Sequence, residues 1–192
     1  MKILSLYGTT EGQTRKVSEF IANKLRSYGD VVTMLDATAL PEDLDLRDYH
    51  GAIIAASIHA SQYQTPIVHF AKANHVWLNQ MPSAFISVSL SAAGTELDEL
   101  TAIASCAENF KLETGWSTAD VHHVAGAFRF AEYDYFKRWV MKLIAWEKAV
   151  KVEPGKDFEL TNWEALSVSV DTLRARFADK TTQKANQEGQ KV

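Results

Sequence analysis

Near the start of the chain, Gly8-Thr9-Thr10-Glu11-Gly12-Gln13-Thr14 packs three threonine hydroxyls and two glycines into seven residues. The run lies between a strand-like stretch, Ile3-Leu4-Ser5-Leu6-Tyr7, and a helical pattern that begins at Gln13. A helix N-terminus offers N–H groups without intrahelical acceptors and the positive end of the helix dipole. Glycine lets backbone approach a ligand closely, and Thr9, Thr10 and Thr14 add hydroxyl donors. Together Thr9, Thr10, Glu11, Gly12, Gln13 and Thr14 suit a terminal phosphate without a lysine. An ordinary capped helix behind a Gly/Thr turn would use the same residue types. No Gly-Lys-Ser/Thr follows and no Gly-x-Gly-x-x-Gly is present, so a Walker loop and a dinucleotide fingerprint are excluded.

Other chemistry-bearing residues are less organised. His122 and His123 are adjacent on a strand pattern and point to opposite faces, so they cannot chelate together. His69 and His75 are six apart on one helix, and His50 and His59 flank a strand; no metal site is expected. Cys106 lies in an apolar helical pattern (Ile103, Ala104, Cys106, Ala107, Phe110) and reads as a small core residue. There is no Gly-x-Ser-x-Gly elbow. The single cysteine excludes an internal disulfide and suits a reducing, cytoplasmic setting. No signal peptide is visible, and no apolar run reaches the roughly 20 residues of a membrane span.

The elements that must position the first loop are legible. Strand-length apolar segments recur at Lys2–Tyr7, Val31–Asp36, Gly51–Ser57, Ser83–Leu90 and Val121–Ala127. Helical spacing predicts helices over Gln13–Tyr28, from Thr65-Pro66 to about Asn79, and over Thr95–Glu113. A fourth is capped by Thr161 or Asn162 and runs to about Ala178, and a weaker one lies near Pro41–Leu46. Alternation of this kind specifies an α/β fold with a parallel sheet. Five such strands fit the doubly wound order 2-1-3-4-5, with ligands beyond the carboxyl ends of the strands. Residues 1–178 form the domain, and the polar tail 179–192, which lacks periodicity, is expected to be disordered.

One segment departs from the rest. Between the fifth strand and the last helix, residues 128–160 are inserted. Arg129 to Lys156 contains seven basic and four acidic residues, a net +3, in a chain whose total is −4. Seven aromatics fall between Phe128 and Trp146. Over 133–149 a helical wheel puts Tyr133, Tyr135, Phe136, Trp139, Val140, Leu143, Ile144 and Trp146 on one arc, with Lys137, Arg138, Lys142 and Lys148 on the other. That is the pattern of an interfacial helix, and the same surface suits packing on the domain or a homodimer contact. Basic residues confined to one helix face of an acidic chain do not suit nucleic acid.

Thr9-x-x-Gly12-x-Thr14, behind an N-terminal strand ending in Tyr7, resembles the FMN-phosphate loop of flavodoxins. Further segments narrow the resemblance: Gly12-Gln13-Thr14-Arg15, Ala56-Ser57-Ile58, Met81-Pro82-Ser83-Ala84-Phe85 with Ser87-Val88, Ala125-Gly126-Ala127-x-Arg129, Lys142-Leu143-Ile144 and Thr161-x-Trp163-Glu164. Colinearly from Met1 to about Phe177, they resemble the flavodoxin-type, menaquinone-dependent protoporphyrinogen oxidases. The resemblance implies a flavodoxin-like sandwich that binds FMN non-covalently, with its phosphate in the first loop. It puts the flavin ring against Ser57, Ile58, His59 and Ala60, and against Ser89, Leu90, Ser91, Ala92, Ala93 and Gly94. Tyr63 would stack on the ring or pack on its own helix. Where His59 and Ala60 stand, that family usually has an arginine and an aromatic, and Glu96, Asp98 and Glu99 stand where it tends to be basic.

The implied reaction is oxidation of protoporphyrinogen IX to protoporphyrin IX in haem biosynthesis, with menaquinone or ubiquinone as acceptor. The flavin carries the chemistry, so no catalytic side chain is required. Arg129 and Arg138 would pair with substrate propionates, and Tyr133, Trp139 and Lys142 would meet substrate or the cytoplasmic face of the inner membrane. The alternatives are a flavodoxin-type electron carrier between protein partners and an interaction module without FMN.

Overall fold

The near-continuous apolar run Ala52-Ile53-Ile54-Ala55-Ala56 forms the middle of strand β3 (Gly51–Ser57), every residue of it buried. Such a strand must be covered on both faces. The computed structural model describes residues 1–118, 120–128 and 158–189, and Arg129, Tyr133, Arg138, Trp139 and Lys142 lie outside them. β1 (Lys2–Gly8) and β4 (Ser83–Ser89) flank β3, and β2 (Val31–Asp36) and β5 (Val121–Ala125) form the edges. The sheet is parallel in the order β2-β1-β3-β4-β5, as the alternating pattern predicts.

Helices α1 (Gln13–Ser27) and α4 (Trp163–Gly189) cover one face. Val17, Ile21 and Leu25 of α1 and Leu166, Val170, Leu173 and Phe177 of α4 join Ile3, Ile53 and Ile86 there. Helices α2 (Thr65–Gln80) and α3 (Leu97–Thr114) cover the other, where Ile67, Phe70, Leu78 and Phe110 pack on Leu4, Leu6, Ile54 and Phe85. Trp116, fully buried, closes that core near the amino ends of the strands, its Nε1–H donating to Ser83 Oγ at 3.0 Å.

Two expectations are corrected. The weak helix near Pro41–Leu46 is a turn followed by a 3₁₀ turn at Leu46–Asp48, started by Asp45 accepting from the Arg47 backbone N–H. The tail expected to be disordered from 179 is helical to Gly189, because α4 continues past Ala178. It carries no apolar stripe, while residue types such as those at Lys180, Gln183, Lys184 and Ala185 favour helix by propensity alone. Thr181 and Thr182 hydroxyls donate to the Phe177 and Ala178 carbonyls one turn back.

The fifth strand breaks at Gly126, and Ala127–Phe128 (β6) pairs antiparallel with Phe158–Glu159 (β7). The two ends of the inserted segment are therefore bound to each other.

At the far end from these loops, α4 is tied to the start of β2. The buried Asp30 carboxylate accepts from Arg174 Nε at 2.7 Å and from the Met1 amino group at 2.7 Å. Burial pushes the Asp30 carboxyl up, but these two cations outweigh it and hold it below the ordinary carboxylate range. A carboxyl depressed on folding adds stability that is complete above its unfolded pKa, about 3.9, and lost as pH falls through the folded value. Asp30→Asn is expected to cost roughly 2 kcal/mol at pH 7, a fall of several degrees in Tm. The gap to wild type should close below about pH 4. Thermal melts between pH 3 and 7 check this, and a gap independent of pH would refute it.

Candidate cofactor site

At the carboxyl ends of β1, β3, β4 and β5 a cleft of ≈ 420 Å³ opens, within the range of small-molecule sites. Ligands of doubly wound sheets bind at this edge, near the point where strand order reverses between β1 and β3. The first loop supplies Thr9, Thr10, Glu11, Gln13 and Thr14 to its lining. The end of β3 and the following loop supply Ser57, Ile58, His59 and Ala60, and the β4 end supplies Val88, Ser89, Leu90 and Ser91. One wall is hydroxylated, and the other is largely apolar.

The first loop turns because Gly12 takes φ +90°, which side-chain-bearing residues avoid. Its N–H donates to Thr9 Oγ1 at 2.9 Å. Gly12 is the N-cap of α1 and brings no side-chain acceptor, so the first-turn N–H groups lack a cap. Thr14 Oγ1 is buried and has no hydrogen-bond partner among the described residues. A buried hydroxyl without a partner costs free energy, and a phosphate at the helix start would supply the acceptor that Thr14 and the N–H groups lack. The residues present therefore fit a phosphate-bearing group.

Gln13 lines the cleft, but its side-chain amide is engaged by distant parts of the chain. Its Nε2 donates to Glu159 Oε1 and to Thr161 Oγ1, both at 2.8 Å, and Thr161 in turn donates to the Ala125 carbonyl at 2.7 Å. The side chain ties the first loop to strand β7 and to Thr161 just beyond it.

The loop after β3 is a tight turn. His59 and Gln62 exchange backbone hydrogen bonds, while Ala60 and Ser61 take φ +48° and +63°. Positive φ at both central positions is normally left to Gly, Asn or Asp, so Ala60 and Ser61 hold strain at the cleft rim. Cys106 donates from Sγ to the Ser61 carbonyl at 3.3 Å from below, so the thiol fastens this turn as well as filling space.

Three sequence expectations change here. Tyr63 does not face the cleft: it is buried, its hydroxyl is 2.8 Å from Ser87 Oγ, and its ring meets Phe85 and Phe110 edge-on. Burial pushes its phenol above the ordinary range. Ala92, Ala93 and Gly94 do not line the cleft, because Leu90–Ala93 form a 3₁₀ turn. The Ala92 N–H donates to Ser89 Oγ and the Gly94 N–H to the Ser91 carbonyl, so neither amide is turned to the cleft. Gly12 shapes the loop without lining the cleft.

Other contributors were missed. Ile103 of α3 and Gly126-Ala127 line the cleft, and Gln64 joins two of its loops. Ile103 carried only a core-facing helical signal. Gln64 was hidden by Thr65-Pro66, which reads as a complete helix start.

A family model described as "Flavodoxin domain" matches residues 4–154, over half of the chain. The chain belongs to the flavodoxin family. Curated relatives of this flavodoxin include the protoporphyrinogen IX dehydrogenase (quinone) of Escherichia coli K12, 30% identical over 184 residues, covering 96% of this chain and all of the relative. A protein of that name from Leishmania major is 31% identical over 170 residues, covering 86% of this chain and 71% of its own. Among solved structures, the Streptococcus pneumoniae TIGR4 flavodoxin is 16% identical with a TM-score of 0.51, covering 92% of this chain and 99% of its own. The rubredoxin oxygen:oxidoreductase of Desulfovibrio gigas, 13% identical, gives 0.57 over 93% of this chain and 36% of its own. These two likenesses bear on the fold alone.

Proposed function

We propose that this flavodoxin is a quinone-dependent oxidase of protoporphyrinogen IX, holding FMN in the cleft. The observation that carries the reading is the similarity, along nearly the whole chain, to proteins named protoporphyrinogen IX dehydrogenase (quinone). The unpartnered Thr14 hydroxyl at an uncapped helix start supports a flavin that ends in phosphate. Thr9, Thr10, Thr14 and the first-turn amides would hold that phosphate. Ile58, His59 and Ala60 on one side and Ser89, Leu90 and Ser91 on the other would hold the ring, with the Ser57 hydroxyl beside Thr10 at the phosphate end. When bound, the flavin supplies the electron chemistry, accepting hydrogen from one partner and passing electrons to another. The chain's own part is to bind, orient and keep water from the ring, for which Ile58, Val88, Leu90 and Ile103 are suited.

No helix among the described residues is long and apolar enough to cross a membrane. Access to a lipid-dissolved quinone is assigned to residues 129–157, whose basic and aromatic composition suits the cytoplasmic face of a membrane and a greasy dicarboxylate substrate. The test is oxidation of protoporphyrinogen IX by the FMN-loaded protein with a menaquinone analogue, followed by porphyrin fluorescence against a protein-free control. A rise that needs both protein and quinone is expected. Bound FMN without such a rise would overturn the oxidase reading in favour of an electron carrier.

A further inference from the structure

Gln64 stands between the two loops that flank the hydroxylated end of the cleft. Its Oε1 accepts from the Ser57 backbone N–H at 3.1 Å. That N–H can only donate, so it fixes which way the amide faces. Nε2 is then turned to the cleft side, where it donates to Thr10 Oγ1 at 3.2 Å and to Ser57 Oγ. Both amide protons are used, and both hydroxyl oxygens lie within reach of one nitrogen. Gly8 leaves the space Gln64 occupies free: a Cβ there would sit 2.6 Å from Ile67 and 3.3 Å from Gln64.

A hydroxyl that accepts from a fixed donor keeps its own proton for another partner. Thr10 and Ser57 each accept from Gln64, and Thr9 accepts from the Gly12 N–H. Three hydroxyls on the cleft wall are thus all poised as donors, beside the uncapped start of α1. Hydroxyls held with their protons turned to the cleft favour an anion; hydroxyls free to rotate would serve a neutral polyol equally well.

We infer that Gln64 is a positioning residue that sets the Thr10 and Ser57 hydroxyls as donors, making this end of the cleft select a phosphate-bearing flavin over the same flavin without phosphate. This rests on the FMN reading above. Gln64→Glu keeps the acceptor for the Ser57 N–H but turns both hydroxyls inward onto a carboxylate, and it also adds a repelling charge. Gln64→Met keeps the side-chain length, adds no charge and leaves the hydroxyls unoriented.

The experiment is titration of the full-length apoprotein with FMN and with riboflavin, read by quenching of flavin fluorescence, alongside thermal melts. Wild type should prefer FMN. Gln64→Glu should weaken FMN at least tenfold and Gln64→Met at least threefold, with riboflavin changed by less than twofold. Thr10→Val, an exposed change that leaves the Gln64–Ser57 bonds in place, should lower FMN preference in the same way should either Gln64 variant fail to melt cooperatively. Equal losses for both flavins would reduce Gln64 to a loop fastener and overturn the inference, as would unchanged FMN affinity. A wild type that prefers FMN while its variants keep that preference defeats this inference alone. A wild type that binds no FMN defeats the functional reading with it.

Discussion

Replacing Thr14 with valine is expected to make the protein more stable and a poorer binder of FMN. The two effects have one cause. Thr14 Oγ1 is buried at the start of α1 with no partner among the described residues. Valine has nearly the same shape and the same branching at Cβ, so packing and helix propensity barely change. Removing an unsatisfied buried hydroxyl recovers about 1 kcal/mol, a rise of about 2–4 °C in Tm for a chain of this size. A hydrogen bond to a charged phosphate contributes about 1.5–3 kcal/mol, so FMN affinity should fall roughly 10- to 100-fold. Riboflavin has no phosphate and should bind equally well to both proteins. Thermal melts of the apoprotein and fluorescence titrations with the two flavins check the pair. A valine variant that is less stable, or that binds FMN within threefold of wild type, would show that the hydroxyl is not held for a ligand.

Trp116→Ala should have the largest effect on stability. The indole is fully buried, edge-on to Phe85 at 5.7 Å and to Phe110 at 6.1 Å between centroids. Phe85 and Phe110 themselves stack at 4.6 Å. Truncating such a side chain leaves a cavity and typically costs 3–5 kcal/mol, a fall of about 10 °C in Tm. Ser83 Oγ would lose the indole donor but keep its own bond to the Leu78 carbonyl. Trp116→Phe should therefore cost only about 1 kcal/mol beyond the volume change. Ser83 begins β4, whereas the cleft lies beyond the other end of that strand, so FMN affinity measured below the melting range should change less than twofold. A variant that melts within about 2 °C of wild type would show that neighbouring side chains refill the space.

The sheet was legible because its middle strand is apolar on both faces: Ala52–Ala56, bounded by Gly51 and Ser57, reads as a strand covered from both sides. The first loop was legible as part of the cleft lining because glycine and threonine crowd a strand-to-helix turn at the edge where ligands bind. Tyr63 could not be read. An aromatic just after a strand serves a ring in a cleft or a core beneath it equally well, and only the approach of Phe85, Phe110 and Ser87 decides for the core. The glycine of Ala92-Ala93-Gly94 suggested amides free for a ligand. Ser89, one strand-end hydroxyl, captures the Ala92 amide, and that competition is local but invisible in a pattern of small residues. Asp179–Gly189 failed in the opposite way: without an apolar stripe it carried no helical signal, although its backbone continues a helix begun by Leu166, Val170 and Leu173. Gln13 was assigned by position to the ligand, yet its partners are about 150 residues away in sequence, beyond any local pattern.

The pairing of Ala127 with Glu159 and of Phe128 with Phe158 bears on how such a chain could have been assembled. Paired residues of antiparallel strands stand about 5 Å apart, so the chain departs and comes back through a single narrow doorway. Neither the five-stranded sheet nor its register has to adjust to whatever is threaded between those two points. A stretch joined in this way can be lengthened, shortened or exchanged without altering the strand pairing of the sheet that carries it.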